Sequence, residues 1–228
     1  SMIRFEDVII KIGDFQLVVN MTVPKGFTSV IGQSGTGKST FLSSLSGHRA
    51  LTSGKIFVDE TRIDLLPSNK RPCSIIFQEF NLFPHLSIVQ NLNLVCGNKF
   101  FVSESSREKI KKVLEKVDIV ELIDRLPSEM SGGQQSRAAL ARVLLQRNPI
   151  LLLDEPFSAL GPNQKSELID LVDSLSKEQD ISVLLITHDP KDVRQIAGHC
   201  IVVKDQTVLG PFETSVALDE DGPLKGYL

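Results

Sequence analysis

The chain contains little cysteine and no long apolar run, and both shortages limit what it can be. Its 228 residues include three cysteines, Cys73, Cys96 and Cys200, with no Cys-x-x-Cys pair. This odd, scattered set predicts buried or half-buried free thiols in a reducing compartment rather than a disulfide framework. No apolar stretch approaches the roughly 18–20 residues that span a bilayer, and no leader-like segment precedes the first predicted strand. We therefore expect a cytosolic protein whose role at a membrane, if it has one, comes through a partner.

An excess of positive charge is also missing. The net charge is −3 and the pI is about 5.8, whereas a protein that binds nucleic acid by bulk electrostatics is usually basic. We therefore expect no nucleic acid partner. The four histidines show no metal-ligand spacing, and the chain has neither internal repeats nor a low-complexity linker. Its length suits one α/β domain with a core and an additional lobe.

Short runs of apolar and β-branched residues predict a sheet with buried central strands. The Gly13-Asp14 and Asp205-Gln206 pairs are expected to form hairpin turns. The predicted strands are Ile3–Phe5, Val8–Ile10, Phe15–Val19, Phe27–Ile31, Lys55–Val58, Ile75–Phe77, Ile150–Leu153, Val183–Ile186, Ile201–Val203 and Thr207–Leu209.

Helical periodicity is strongest in the middle of the chain. Apolar residues recur on one face of the predicted helices Ser106–Val117 and Gln134–Gln146, and helices are also expected at Lys38–Gly47 and about residues 164–178. The pattern predicts a single domain over residues 1–228. In it, an α/β core with a β part (1–79 and 149–228) is interrupted by a helical subdomain (80–148).

A glycine-rich segment between a predicted strand and a predicted helix fits the P-loop pattern G-x-x-x-x-G-K-S. Its glycines let backbone N–H groups form an anion nest, and the following helix adds its dipole. The lysine is expected to reach the β- and γ-phosphates, and the hydroxyl of Ser39 to ligate Mg²⁺. The predicted ATP-binding residues are Gly32, Gln33, Ser34, Gly35, Thr36, Gly37, Lys38, Ser39 and Thr40.

Polar side chains follow three other predicted strands, at the edge where open α/β sheets bind ligands. Asp154 is the expected Mg²⁺ ligand, and Glu155 is the candidate general base for an attacking water. His188 is a candidate for holding that water and the γ-phosphate. Gln78 ends a strand in the same way and could reach the metal or the water. In isolation, His188 and Gln78 would equally suit structural roles.

Four residues at a helix start, Ser131, Gly132, Gly133 and Gln134, suggest a second phosphate site. Ser131 is a natural N-cap, and a helix N-terminus attracts anions. Read alone, the segment is only a good helix start. Because it has no lysine, it cannot be a second P-loop. Together with the P-loop, it predicts a half-site that meets a phosphate bound by another copy of the chain, in a symmetric homodimer.

The P-loop, the Ser131–Gln134 helix start and the Asp154-Glu155 pair, with Gln78 and His188, together resemble the ATPase subunit of ATP-binding-cassette (ABC) transporters. The resemblance covers nearly the whole chain. It implies an α/β fold, namely a P-loop NTPase core of the ABC ATPase type with an N-terminal antiparallel β part and an inserted helical subdomain. It also implies ATP and Mg²⁺, a dimer that closes on ATP, and a peripheral location on the cytoplasmic face of the bacterial inner membrane.

The resemblance further implies transmembrane permease partners, which would dock near Phe80, Leu82, Phe83 and Leu86. The amino-acid sequence of Arg71–Leu86 looks most like that of the ATPases of bacterial thiamine importers. A short C-terminal region is also expected of that type. The cargo is thus predicted to be thiamine or a related small solute, delivered by a solute-binding protein. The ATPases of importers for iron or polyamines share part of this sequence.

Two positions depart from the family pattern. Gly161 stands where an aspartate is usual, which predicts altered coupling between the two ATP sites. Ile12 stands where an aromatic residue usually stacks on adenine, with Phe15 as a possible substitute. Two other classes stay open, namely a soluble non-transport ABC ATPase and an ATP-sensing module with degraded catalysis.

Overall fold

One mixed β-sheet organises the fold. The computed structural model describes residues 1–77, 79, 81–97 and 100–226. Within this part of the chain, ten strands pair in the order β5-β4-β1-β2-β10-β9-β3-β8-β7-β6. The strands are β1 (Ile3–Ile12), β2 (Phe15–Val23), β3 (Phe27–Ile31), β4 (Ser53–Val58), β5 (Thr61–Arg62), β6 (Cys73–Ile76), β7 (Ile150–Asp154), β8 (Ser182–Thr187), β9 (His199–Lys204) and β10 (Thr207–Glu213).

Seven α-helices are found in the same described ranges, all within a few residues of the predicted ones where a prediction was made. They are α1 (Lys38–Ser46), α2 (Ile88–Asn93), α3 (Glu104–Lys116), α4 (Gly132–Gln146), α5 (Pro162–Gln179), α6 (Pro190–Gln195) and α7 (Thr214–Ala217). Among these helices, none is both long and apolar enough to span a bilayer.

The centre of the sheet is parallel, and its N-terminal part is antiparallel. β3 pairs in parallel with both β8 and β9, and β7 pairs in parallel with β8. Every residue of β3 and β8 is buried, as expected for strands covered on both faces. β1 pairs antiparallel with β2 and β4. In the parallel centre, the carboxyl ends of β3, β7 and β8 lie at one edge, which is where the predicted site residues follow.

The first two predicted strands are one continuous strand with a bulge. The pairing of β1 with β2 shifts register between Phe5 and Val8, and Asp7 takes a left-handed backbone conformation with φ 47°. A bulge adds a residue to a strand without ending it. The polar Glu6-Asp7 pair therefore interrupts the alternation of apolar and polar residues, although the strand continues through it. The predicted hairpin between β9 and β10 is confirmed, with φ 50° at Asp205 and 60° at Gln206, the positive values that a type I′ turn requires.

The three cysteines are free, as predicted. Burial raises the pKa of the Cys73 thiol to about 12, so that thiol stays protonated. Cys200 is buried, but Cys96 is exposed, and the prediction that all three are at least half-buried was wrong for Cys96. It is the last residue of the short 3₁₀ turn Leu94–Cys96, where the apolar pattern has already ended.

The end of α1 is held by a buried arginine. Arg71 is 7% exposed, and its guanidinium donates hydrogen bonds to the carbonyls of Ser44 and Leu45 in the last turn of the helix. It also donates to the carbonyls of Asp64 and Leu66. A cation at a helix C-terminus meets the negative end of the dipole and carbonyls that have no partner within the helix. Arg71 therefore ties the segment after β5 to the helix that carries the P-loop.

The chain divides into two structural units, each described here by itself. The first unit comprises the described residues of Ser1–Ile75, Pro149–Glu155 and Val172–Leu228, and it contains nearly all of the sheet with α1, α6 and α7. The second comprises those of Ile76–Asn148 and Pro156–Leu171, with α2, α3 and α4. In the first unit, α1 packs into the core through Phe41, Leu42 and Leu45.

Candidate active site

The glycine-rich loop lies where β3 ends, and its glycines are required sterically. Gly35 and Gly37 have φ values of 80° and 105°, which only glycine adopts without strain. At Gly32, an added Cβ would lie 2.7 Å from the Val203 carbonyl oxygen. The loop is closed by Thr36, whose hydroxyl donates to the Gln33 carbonyl over 2.8 Å. The result is a turn that brings backbone N–H groups to the N-terminus of α1.

Lys38 is the first residue of α1 and is 7% exposed. Its ammonium donates a hydrogen bond to the Gly32 carbonyl, and its Nζ lies 3.9 Å from Oε1 of Glu155. Burial lowers the pKa of Lys38, and the nearby carboxylates of Glu155 and Asp154 oppose this shift. The lysine is thus a desolvated cation, held across the loop and facing two anions.

Glu155 and His188 meet directly. The Nδ1 of His188 lies 3.1 Å from Oε1 of Glu155. The Glu155 side chain is 28% exposed and that of His188 is 59% exposed. Glu155 follows β7 with φ 47°, a left-handed conformation that costs a residue with a Cβ about 1–2 kcal/mol. The turn directs the chain away from the strand direction while the carboxylate contacts both Lys38 and His188.

Asp154 is the last residue of β7. Burial raises the pKa of Asp154, the Glu155 carboxylate adds to the rise, and Lys38 and the Ser39 hydrogen bond oppose it. Two carboxylates so placed favour a cation, and carboxylate with hydroxyl oxygens suits Mg²⁺. Among the described residues, no group of three His, Cys, Asp or Glu side chains could hold a metal, so such a cation would need other oxygens from phosphate or water.

A cavity of about 370 Å³ opens beside these groups. It is lined by Phe15, Ser34, Gly35, Gly37, Lys38, Ser39, Thr40, Glu155 and Ile186. Phe15 comes so close to the loop that a Cβ on Gly37 would lie 2.7 Å from its ring. Both residues considered for the aromatic position pack against the core, and of the two Phe15 also lines the cavity. The sequence pattern gave no sign that Ile186 also lines it.

The segment Ser131–Gln134 lies in the second unit and begins α4 as predicted. The Ser131 hydroxyl accepts from the Gln134 N–H at 3.2 Å, and the Gln134 side chain accepts from the Ser131 N–H at 2.9 Å. This capping box fixes the helix start. Of the residues that the structure describes, only Gln164 would lie within 4 Å of a Cβ added at Gly133, at 3.8 Å.

The predicted docking segment also belongs to the second unit. Phe83 is 49% exposed, and Leu82 and Leu86 are half-buried. The turn is fixed by Asn91, which exchanges hydrogen bonds with both backbone groups of Phe83. Gln78 and Phe80 lie outside the described residues.

Comparison with known proteins assigns the family. The chain matches the ABC transporter family over residues 18–158, which is more than half of its length. The chain belongs to the ABC transporter family. Among curated ABC relatives, it is 40% identical over 229 residues to the thiamine import ATP-binding protein ThiQ of Ruegeria sp., covering all of this chain and 99% of that one. It is 38% identical to the ThiQ of Aliivibrio fischeri, over 97% and 95% of the two chains.

Solved structures confirm the ABC ATPase fold that the sequence predicts. One is cbiO1 of Clostridium perfringens, described as part of an ABC transporter complex, with a TM-score of 0.83, 26% identity and coverage of 93% and 88% of the two chains. Another is the ATP-binding cassette MJ0796, seen as a dimer with ADP and phosphate, with a TM-score of 0.75, 27% identity and coverage of 93% and 98%. This chain is accordingly an ATP-binding ATPase of the ABC family.

Proposed function

We propose that this chain is the ATP-hydrolysing motor subunit of a bacterial importer for thiamine or a related solute. The observation that carries the proposal is the convergence of Lys38, Glu155 and His188 beside the glycine-rich loop. Glu155, the candidate base, lies within ion-pair range of Lys38, the candidate phosphate-binding cation, and within hydrogen-bond range of His188, the candidate positioning group. The cargo is inferred from relatives over the whole length that are named for thiamine import.

The nucleotide would bind with its phosphates on the loop amides of residues 32–40. Lys38 would exchange its present carbonyl partner for β- and γ-phosphate oxygens. Ser39 and Asp154 would hold Mg²⁺, with Gln78 as a further proposed ligand. When bound, the metal neutralises charge that develops on the phosphates. Phe15 and Ile186 give the lining of the cavity an apolar part.

Hydrolysis would use Glu155 as the base that accepts a proton from the attacking water. The water oxygen bonds to the γ-phosphorus as the bond to the β–γ bridging oxygen breaks, giving ADP and phosphate. His188 would hydrogen-bond the γ-phosphate and keep the water in line. Its present distance from Glu155 supports this division of roles, because one ring can then contact both the base and the phosphate.

The second half-site would come from another copy of the chain. Ser131–Gln134 would contact the γ-phosphate bound by the partner, so a homodimer holds two composite sites. The exposed Phe83 and the neighbouring Leu82, Leu86 and Phe80 would receive a transmembrane permease. The chain would then sit peripherally on the cytoplasmic face of the inner membrane, and a solute-binding protein would deliver the cargo.

Labelled thiamine uptake in the source organism, together with ATP hydrolysis by the purified chain, tests the proposal. Lys38→Ala is expected to abolish both, because the β- and γ-phosphates lose their cation. Lys112→Ala, an exposed lysine on α3, is the matched control and should leave both intact. Unchanged uptake with lost hydrolysis would refute the cargo and keep the motor. Hydrolysis that survives Lys38→Ala would refute the active site.

A further inference from the structure

A buried polar pair lies behind His188, and the proposed chemistry does not use it. Thr187 is the last residue of β8 and is 3% exposed, and Asp192 on α6 is 5% exposed. The Thr187 hydroxyl donates to Oδ2 of Asp192 over 2.5 Å. A carboxylate in such a place is costly unless it is hydrogen-bonded. The pair therefore needs a structural or functional reason.

The same hydroxyl also fixes the turn that carries His188. Because a hydroxyl can accept while it donates, Thr187 Oγ1 also accepts a hydrogen bond from the Asp189 N–H at 3.0 Å. Asp189 in turn caps α6 by accepting from the Lys191 N–H at 2.9 Å. The residues on either side of His188 are thus joined through one side chain, and that side chain is anchored to a buried carboxylate.

His188 has little else to hold it. Its side chain is 59% exposed, so packing contributes little to the position of the ring. Its described partner is Glu155, at 3.1 Å. The ring can stay at that distance only if the backbone of residues 187–189 keeps its conformation. A displacement of about 1 Å at such a group can cost roughly a hundredfold in rate.

We propose that Thr187 and Asp192 are positioning residues that hold the His188 turn in register with Glu155. They act through His188 and touch neither water nor phosphate. The inference rests on the proposed function, since it assigns them to the same hydrolytic step. A purely structural pair would stabilise the fold without influencing how His188 contributes.

The matched pair Thr187→Val and Thr187→Ser separates these two roles in the full chain. Valine keeps the shape of threonine but loses the hydroxyl, whereas serine keeps the hydroxyl. We expect Thr187→Val to lower kcat for ATP by about tenfold with KM changed less than about twofold. Thr187→Ser should retain most of the rate. Equal losses in the two variants would overturn the inference, because the hydroxyl would then not matter.

A double-mutant cycle with His188→Ala is the sharper test. If Thr187 acts through His188, then Thr187→Val in the His188→Ala background should produce no further loss of kcat. An unchanged tenfold loss there would overturn the inference. Since Thr187→Val deprives the buried Asp192 carboxylate of this donor, it could fail to fold. Thr187→Val/Asp192→Leu then replaces both partners by apolar groups, which is often close to neutral for stability.

Hydrogen exchange in the nucleotide-free protein gives a readout independent of turnover. Thr187→Val should speed exchange of the Asp189 amide, while the amides of β7 and α1 exchange as in the wild type. Unchanged exchange at Asp189 would overturn the inference. Failure of the proposed function looks different, because wild-type protein would then hydrolyse ATP no faster than Lys38→Ala does.

Discussion

At the scale of single residues, Asp154 places a carboxylate in a half-buried position beside Glu155. Burial and the second carboxylate raise the pKa of Asp154. A raised pKa means that the folded protein binds the proton more tightly than the unfolded chain does. The ionised form therefore opposes folding at pH values above the folded-state pKa. This penalty disappears as the pH falls and Asp154 becomes protonated.

We expect Asp154→Asn to stabilise the nucleotide-free protein while abolishing Mg²⁺-dependent ATP hydrolysis. Asparagine removes the repulsion with Glu155 but is a poor Mg²⁺ ligand. The melting temperature at pH 7 should rise by about 2 °C. The gain should shrink toward about pH 4, where an ordinary carboxyl is half protonated. Thermal melts from pH 7 to about pH 4 test this; a gain that grows as the pH falls would contradict the assignment.

Sequence alone predicted the residues of this site better than their contacts. Lys38 could be named as a candidate because it stands in a glycine-rich motif between a strand and a helix, and Asp154, Glu155 and His188 because they lie at or just after the ends of buried strands. The contacts that Phe15 and Asp192 make could not be predicted, because they depend on how separate elements pack. Phe15, at the start of β2, lies against the glycine-rich loop, and Asp192 is buried although it belongs to a short, mostly polar helix.

At the scale of elements, Arg71 connects two segments that the sequence does not link. It lies after a 3₁₀ turn (Ser68–Lys70) and donates to four carbonyls, of which two end α1. Hydrogen bonds from a charged group contribute more than neutral ones, about 1.5–3 kcal/mol each at most. Since one side chain supplies a donor to all four carbonyls, the helix that supports the P-loop depends on it.

Arg71→Met should therefore destabilise the protein by about 2–4 kcal/mol, through carbonyls left without a donor. Methionine keeps the length and the apolar stem, so the loss reports the guanidinium. Arg49→Met, at an exposed position just after α1, is the control and should change stability by less than about 0.5 kcal/mol. Urea unfolding measures both. A loss below about 1 kcal/mol for Arg71→Met would show that water replaces the guanidinium.

Most elements could be predicted because their ends carry local signals. α1 ends at Gly47, which takes φ 85°, and Ser131 caps α4. The bulge in β1 was read as a break between two strands, because a bulge and a turn give the same local pattern. The place of β6 at the sheet edge could not be derived, since strand order depends on long-range pairing.

At the scale of the whole molecule, the two half-sites predict a nucleotide-dependent dimer. Glu155→Gln keeps the shape of the base but cannot accept the proton, so ATP should remain bound and unhydrolysed. We expect this variant to dimerise with ATP and Mg²⁺ and to stay monomeric with ADP, as measured by light scattering. A monomer at high protein concentration with ATP would contradict the composite site.

The contribution of the second half-site can be isolated in the same variant. Gly133→Asp adds a negative charge where the phosphate would approach, and its Cβ would meet Gln164 only at an ordinary contact distance of 3.8 Å. It should prevent the ATP-dependent dimer of Glu155→Gln. Gly133→Asn, which has the same shape without the charge, should interfere much less. Equal effects would indicate that sterics rather than charge decide the contact.

Neither structural unit is formed by one continuous segment of the polypeptide chain. The chain passes between the units after residues 75, 148, 155 and 171, and one of these passages directly follows Glu155. A cut at any single passage would divide the first unit between two fragments. When homologous genes are recombined, we therefore expect the largest fraction of folded chimeras if residues 76–148 and 156–171 are always taken from the same parent.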